Sequence, residues 1–265
     1  MQLNIRHTTT YNYDQPVDYA LQKVRLRPQR IVVQDVIDWD IAISGAKIET
    51  QYTDHYGNHV DLVNVDVGAA EVKITAQGTV LTHDSTGVLG KVYGRAPLWH
   101  FQQETEATTA GAGIRALSAG LDAKTDRIGA LHGLSERILA AVPYKTGETH
   151  SQTLAEEALE IGAGVCQDHA QIFIAAARTQ GIPARYVSGY LMINDQIDQE
   201  ATHAWAEAHI DGLGWVGFDV SNGVSPDEKY VRIAVGRDAR DAAPTEGMRM
   251  GDAAEQMIVS LQVQQ

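Results

Sequence analysis

The apolar residues of this chain change their spacing once along its length, and that change limits the folds open to it. Up to about residue 80 they alternate with polar ones. Leu3, Ile5, Thr9, Tyr11 and Tyr13 keep one parity until Asp14-Gln15-Pro16 interrupts the run. Val24 and Leu26 alternate with Arg25 and Arg27 ahead of Pro28, and Trp39, Ile41 and Ile43 share a face. Tyr56-Gly57-Asn58 turns the chain towards Val60, Leu62, Val63 and Val65, and Val72 to Ala76 closes the series. Successive side chains of a strand point to opposite faces, so short alternating runs split by polar turns predict an antiparallel β-sandwich over residues 1–85.

From about residue 125 the spacing becomes helical. Ile128, Leu131, Leu134, Ile138 and Val142 fall on one face, and Pro143 stops the helix because it has no N–H to continue it. The intervening residues, 86–124, are punctuated by glycines and Pro97 and read as a helical linker region, with short helices around 98–105 and 114–121. A second helix covers 154–161, with Thr153 and Glu156 in a capping-box pattern at its start. A third runs over about 165–180 with the stripe Cys166, Ala170, Phe173, Ile174 and Ala177, ending at Gly181 and Pro183. Strands then return at 184–193, 203–210 and 215–220, and Met257 to Val263 reads as a last one. Helices followed by an antiparallel sheet predict an α+β core over 125–265.

Charge and composition exclude several partners. The net charge of −13, from 34 acidic against 21 basic residues, argues against nucleic acid or an anionic membrane. No run of about 18 apolar residues is present to form a membrane span. Met1 to Arg6 lacks a charged-then-apolar secretory layout, and a single cysteine excludes an internal disulfide. These features lead us to expect a soluble cytoplasmic protein.

The single cysteine, Cys166, lies in Gly162-Ala163-Gly164-Val165-Cys166-Gln167-Asp168-His169, where a glycine-rich bend enters the third helix. A lone cysteine is commonly a small buried hydrophobe. At a helix N-terminus, however, the backbone dipole and unpaired N–H groups favour thiolate, the nucleophilic form. His203 and Asp219 lie downstream on a predicted hairpin and suit the roles of base and orienting acid. Their meeting depends on register. A turn of even length puts Asp219 opposite Ala206, on the face away from His203. A turn of odd length puts it opposite Trp205, diagonal to His203 on the same face and about 7–8 Å away at Cα.

Other polar residues carry weaker alternatives. His169 lies three positions after Cys166 and is a rival base, though the helix then supplies no separate orienter. Asp168 suits the helix N-terminus, and Tyr144 suits the lining of the cleft. His55 and His59 flank a turn without a third ligand of suitable type nearby. His203, Glu207 and His209 share a strand face but spread over roughly 20 Å, too far to converge on one ion. No metal or cofactor is expected.

Four stretches jointly resemble the bacterial transglutaminase-like cysteine enzymes: Gly162 to Ala170, Gly181 to Tyr190, His203-Ala204-Trp205-Ala206-Glu207, and Gly214 to Asp219. The likeness is strong over 143–245 and extends to the front of the chain, where the family often carries a β-sandwich. It implies a papain-like transglutaminase core, with helices packed on an antiparallel sheet and a triad at Cys166, His203 and Asp219. It also implies amide chemistry through a thioester, on a peptide or amide substrate. The expected activity is hydrolysis, as a protease or amidase, with amine transfer or a non-catalytic peptide-binding module as alternatives. One turn departs from the family pattern: Asp219 is followed by Val220-Ser221-Asn222, where members often read Pro-Thr-Asn.

Overall fold

The computed structural model describes residues 1–91, 94–121, 126–194, 196–199, 201–250 and 254–265. Six strands come first: β1 (Gln2–Val17), β2 (Tyr19–Val24), β3 (Gln34–Ser44), β4 (Ala46–Thr53), β5 (His59–Val65) and β6 (Ala69–Thr82). After β7 (Val88–Gly90) come four helices, α1 (Ala112–Ser118), α2 (Arg127–Ala141), α3 (Ala155–Ile161) and α4 (Cys166–Thr179). The chain ends in β8 (Ala184–Leu191), β9 (Asp198–Gln199), β10 (His203–Ile210), β11 (Gly214–Phe218), β12 (Tyr230–Gly236), β13 (Thr245–Met250) and β14 (Glu255–Gln264).

These strands form three antiparallel sheets, ordered β3-β6-β1-β14-β9, β13-β2-β5-β4 and β12-β8-β10-β11-β7. The alternation read in the sequence sets the burial. Leu3, Ile5, Tyr11 and Tyr13 of β1 point inward and meet Val24, Val63, Val72 and Ile74 in one apolar core shared by the first two sheets. Tyr190, Val231 and Ile233 of the third sheet join the same core, and the Tyr190 hydroxyl hydrogen-bonds His7 Nδ1 at 3.0 Å.

The expected core over 125–265 is corrected at its C-terminal end. β13 pairs along β2, from Thr245 opposite Val24 to Met250 opposite Tyr19. β14 pairs along β1, from Glu255 opposite Tyr13 to Gln264 opposite Asn4. The last two strands therefore complete the two N-terminal sheets. Alternation identifies a strand, but its partner is chosen by burial of Leu261 and Val263 and by the open edge β1 would otherwise present. The expected start of the core at 125 lies outside the described residues. The expected linker is also more than helical, since its β7 joins the third sheet beside β11. Leu98–Gln102 forms a 3₁₀ turn there.

Helix α4 is buried along most of its length, its apolar residues packed and its buried polar ones, Asp168, His169, Gln171 and Arg178, hydrogen-bonded. Ala170 and Ile172 to Ala177 are all buried. It lies on Ala204, Ala206 and Ala208 of β10, and α1, α2 and α3 pack around it. The small strand residues let the helix approach closely. Each fully buried Ile or Phe contributes about 1.5–3 kcal/mol by leaving water. Among the described residues no helix is long and apolar enough to cross a membrane.

The capping pattern at α3 resolves differently from its sequence reading. Glu156 does not cap its own helix. Its carboxylate accepts from the N–H groups of Gly111 (2.9 Å), Gly113 (2.6 Å) and Ile114 (3.1 Å), and so caps α1. Glu157 takes the local role by accepting from Leu154 N–H at 3.3 Å. A carboxylate from a distant part of the chain can satisfy orphaned helix donors as well as a local one.

Candidate active site

The glycines before Cys166 are required by geometry. Gly162 ends α3 in the left-handed region, with φ of 71°. A Cβ on Gly164 would lie 2.8 Å from the Asp168 carboxylate, so a side chain there would displace it. That carboxylate accepts from Val165 N–H at 2.8 Å and from the Thr149 hydroxyl at 2.7 Å. Asp168 thus caps α4 and ties the 145–153 loop to it. Gly164 also forms a β-bridge with Tyr144, reinforced by Lys145 N–H donating to Gly164 C=O at 2.8 Å. The bend is held on both sides, and Cys166 is left half-buried as the first residue of α4.

The β10–β11 hairpin takes the odd register. Its turn is the three residues Asp211 to Leu213, so Ile210 pairs with Gly214 and Ala206 with Phe218. Continuing that pairing sets Asp219 opposite Trp205 and diagonal to His203. Gly214 has φ of 85°, and a Cβ there would fall 2.3 Å from the backbone of Gly90. Glycine at this position therefore serves both the turn and the close approach of β7.

Cys166, His203 and Asp219 are consequently joined. His203 Nε2–H donates to Asp219 Oδ2 at 2.7 Å. The Cys166 sulfur acts electrostatically on the same imidazole. Burial opposes charge on His203. The hydrogen bond to Asp219 and the Cys166 sulfur outweigh it and raise the imidazole to about 10. Burial likewise pushes the Asp219 carboxyl up, but His203, Asn222 and Tyr230 hold it below its ordinary value.

Two residues that sequence reasoning missed anchor the acid. Tyr230 O–H and Asn222 Nδ2–H each donate to Asp219 Oδ2 at 2.7 Å. Trp205 stacks against the His203 ring, with centroids 6.3 Å apart and planes at 28°, and packs edge-on to Tyr230 at 5.4 Å. Asn222 lies within the family-like run after Asp219 and could have been found there. Tyr230, eleven residues on and on another strand, carries no local signal.

The rival residues are placed elsewhere. His169 donates from Nε2 to Val142 C=O at 2.7 Å, and its Nδ1 accepts from the Ser221 hydroxyl at 2.8 Å. Both nitrogens are engaged, and the ring locks α4 to the end of α2 and to the turn after Asp219. Glu207 is buried against Arg185 (2.6 Å) and Arg232 (3.0 Å) rather than grouped with His203 and His209. His55 packs at a tilt against Tyr56, with ring centroids 3.9 Å apart. Tyr144 is 53% exposed; burial and the nearby Cys166 raise its hydroxyl above the usual value.

The two shifted histidines bear on stability with opposite signs. The folded value of His203 lies above its unfolded 6.5, so its contribution is complete below pH 6.5 and is lost as pH rises through about 10. Burial lowers His7 to about 4, so its unfolded state takes up protons first and stability is lost as pH falls below 6.5. Urea midpoints should therefore decline on both limbs. His203→Ala should flatten the alkaline limb alone, and an unchanged alkaline limb in that variant would refute the assignment.

Comparison with known proteins follows the same division of the chain. Residues 115–220 match the transglutaminase-like superfamily, and residues 3–81 match the bacterial transglutaminase-like N-terminal region. An uncharacterised protein of Mycobacterium leprae is 26% identical over 279 residues, spanning 99% of this chain and 98% of its own length. An uncharacterised protein of Mycobacterium tuberculosis is 36% identical over 128 residues, 44% of this chain and 41% of its own length. Among solved structures, a proposed cysteine protease from Cytophaga hutchinsonii superimposes with a TM-score of 0.76 at 26% identity. That superposition covers 99% of this chain and 90% of the other.

Proposed function

Because the chain belongs to the transglutaminase-like superfamily, we propose that it hydrolyses an amide or peptide bond through a thioester on Cys166. The observation that carries this reading is the His203–Asp219 hydrogen bond, with the Cys166 sulfur acting on the same imidazole. The fold this reading needs is a papain-like arrangement, with α4 presenting the thiol across the end of β10.

In this mechanism His203 holds the thiol proton, leaving Cys166 Sγ as a thiolate that attacks the carbonyl carbon. The oxyanion so formed is met by Cys166 N–H, which as the first amide of α4 has no intrahelical acceptor. Collapse breaks the C–N bond, and His203 passes its proton to the leaving amine. Water then attacks the thioester carbon and gives a proton back to His203, and the acid leaves with Cys166 restored. Asp219 keeps Nε2–H pointed at itself and stabilises the imidazolium, while Tyr230 and Asn222 keep the carboxylate still. The likeness to a proposed cysteine protease supports water as the resolving nucleophile.

Mass spectrometry after incubation with a peptide library, with and without a primary amine, tests this. Products whose masses sum to the substrate plus one water are expected in both. Products carrying the amine would replace hydrolysis with transamidation. Intact peptides together with sluggish alkylation of Cys166 would replace both with a non-catalytic binding module.

A further inference from the structure

A groove separate from Cys166 runs where the N-terminal sheets meet β7. Its main hollow has a volume of about 740 Å³, within the range of about 300–1,000 Å³ typical of ligand sites. Trp39, Ile31 and Leu89 line it with apolar surface, and Arg30, Lys91 and His59 bring basic groups to it. A second hollow of about 300 Å³ shares Arg27, Thr53 and His59 with the first, which makes the depression elongated.

Its charge runs against that of the whole chain. The protein carries −13, yet among the described residues no Asp or Glu lines the main hollow. Arg30 donates to the Val36 carbonyl at 3.0 Å, and among the described residues neither Arg30 nor Lys91 has a carboxylate partner. The smaller hollow has one carboxylate, Asp61, and it is engaged by Arg27 at 2.8 Å and by Gln51. Behind the floor the charge is positive again. Leu89 and Ile31 pack in one cluster with Trp215. Trp215 stacks on Arg185, with the guanidinium 3.8 Å from a ring centroid. Arg185 and Arg232 share the single carboxylate of Glu207, leaving one net positive charge buried there. Positive groups over low-dielectric walls concentrate their field in such a groove.

We propose that this groove binds an extended acidic peptide segment with interspersed apolar side chains. The elongated shape suits an extended chain, the apolar floor suits its hydrophobic residues, and the uncompensated cations suit its carboxylates. Taken with the proposed amide hydrolysis, on which this part rests, the groove would select acidic stretches of a protein substrate.

Isothermal titration calorimetry on the Cys166→Ala protein tests the groove without relying on turnover. The probes are a Glu-Leu-Glu-Leu-Glu peptide and its counterpart with Gln for every Glu. The acidic peptide should bind, weaken as sodium chloride is raised, and lose about tenfold or more in affinity in Arg30→Glu combined with Lys91→Glu. In the Cys166 background the same double variant should keep the wild-type rate of thiol alkylation. Equal binding of the two peptides, no binding of either up to millimolar concentration, or undiminished affinity in the double variant would overturn the proposal. Absence of turnover with acidic binding intact would instead count against the hydrolase reading alone.

Discussion

Cys166→Ala and His203→Ala are each expected to lower kcat for an amide substrate by about 10⁴- to 10⁶-fold, the range seen when one member of a nucleophile–base pair is removed. The expectation rests on the three groups acting as a unit: His203 hydrogen-bonds Asp219 and interacts with the Cys166 sulfur, so losing either the thiol or the imidazole leaves the remaining parts without a step to perform. The double variant should therefore be no slower than the worse single one. Asp219→Asn should retain the fold but fall by about 10⁴, because an amide nitrogen facing Nε2 favours the wrong imidazole tautomer. Tyr230→Phe removes one of three donors to the same oxygen and should cost far less, with its effect read in the pH profile. Steady-state kinetics on substrates identified by mass spectrometry provide the measurement. Additive losses in the double variant would mean that the groups act separately.

The second large effect is on stability and lies outside the triad. Glu207 is fully buried, and its Oε2 faces both Arg185 Nε and Arg232 Nη2. Glu207→Ala would leave two buried guanidinium groups without a counter-charge. Removing one partner of a buried ionic group costs about 3–5 kcal/mol, a large share of the 5–15 kcal/mol that typically holds a domain together. Burial already lowers Arg185 to about 9 despite Glu207, so desolvation there is severe. Replacing all three groups, by Arg185→Met, Glu207→Leu and Arg232→Met, should recover much of the loss, since an apolar trio needs no counter-charge. Urea unfolding of the single and triple variants decides it. A Glu207→Ala loss under about 1 kcal/mol would show that the arginines find other partners.

Much of the site was legible before the fold. The thiol at a glycine-rich helix start follows from residue order, and so does the condition that His203 and Asp219 share a face only if the hairpin turn is odd in length. The resemblance to transglutaminase-like enzymes pointed to the same three residues, and the N-terminal β region was plain from alternation alone. The ends of the chain were harder. β14 reads clearly as a strand, yet nothing local says that Leu261 and Val263 belong with Leu3 and Ile5. Glu156 looked like the cap of its own helix and instead caps α1. Glu207 looked like one more polar residue on an alternating face, though it is the counter-ion of two arginines from neighbouring strands.

The sequence by itself determined the N-terminal strands, the main helices and the position of the only thiol, and set the condition of parity that His203 and Asp219 had to meet. These depend on backbone dihedrals and side-chain spacing within a few residues, which are local properties. The tertiary structure decided the hairpin register, the partners of β13 and β14, and the environment of Glu207 and Asp219. Each of these is settled by contacts between distant segments. The close approach of Gly90 to Gly214 accommodates the three-residue turn, and Tyr230 reaches Asp219 from a separate strand. Desolvation and hydrogen-bond partners exist only once those segments are packed, so no local pattern could encode them visibly.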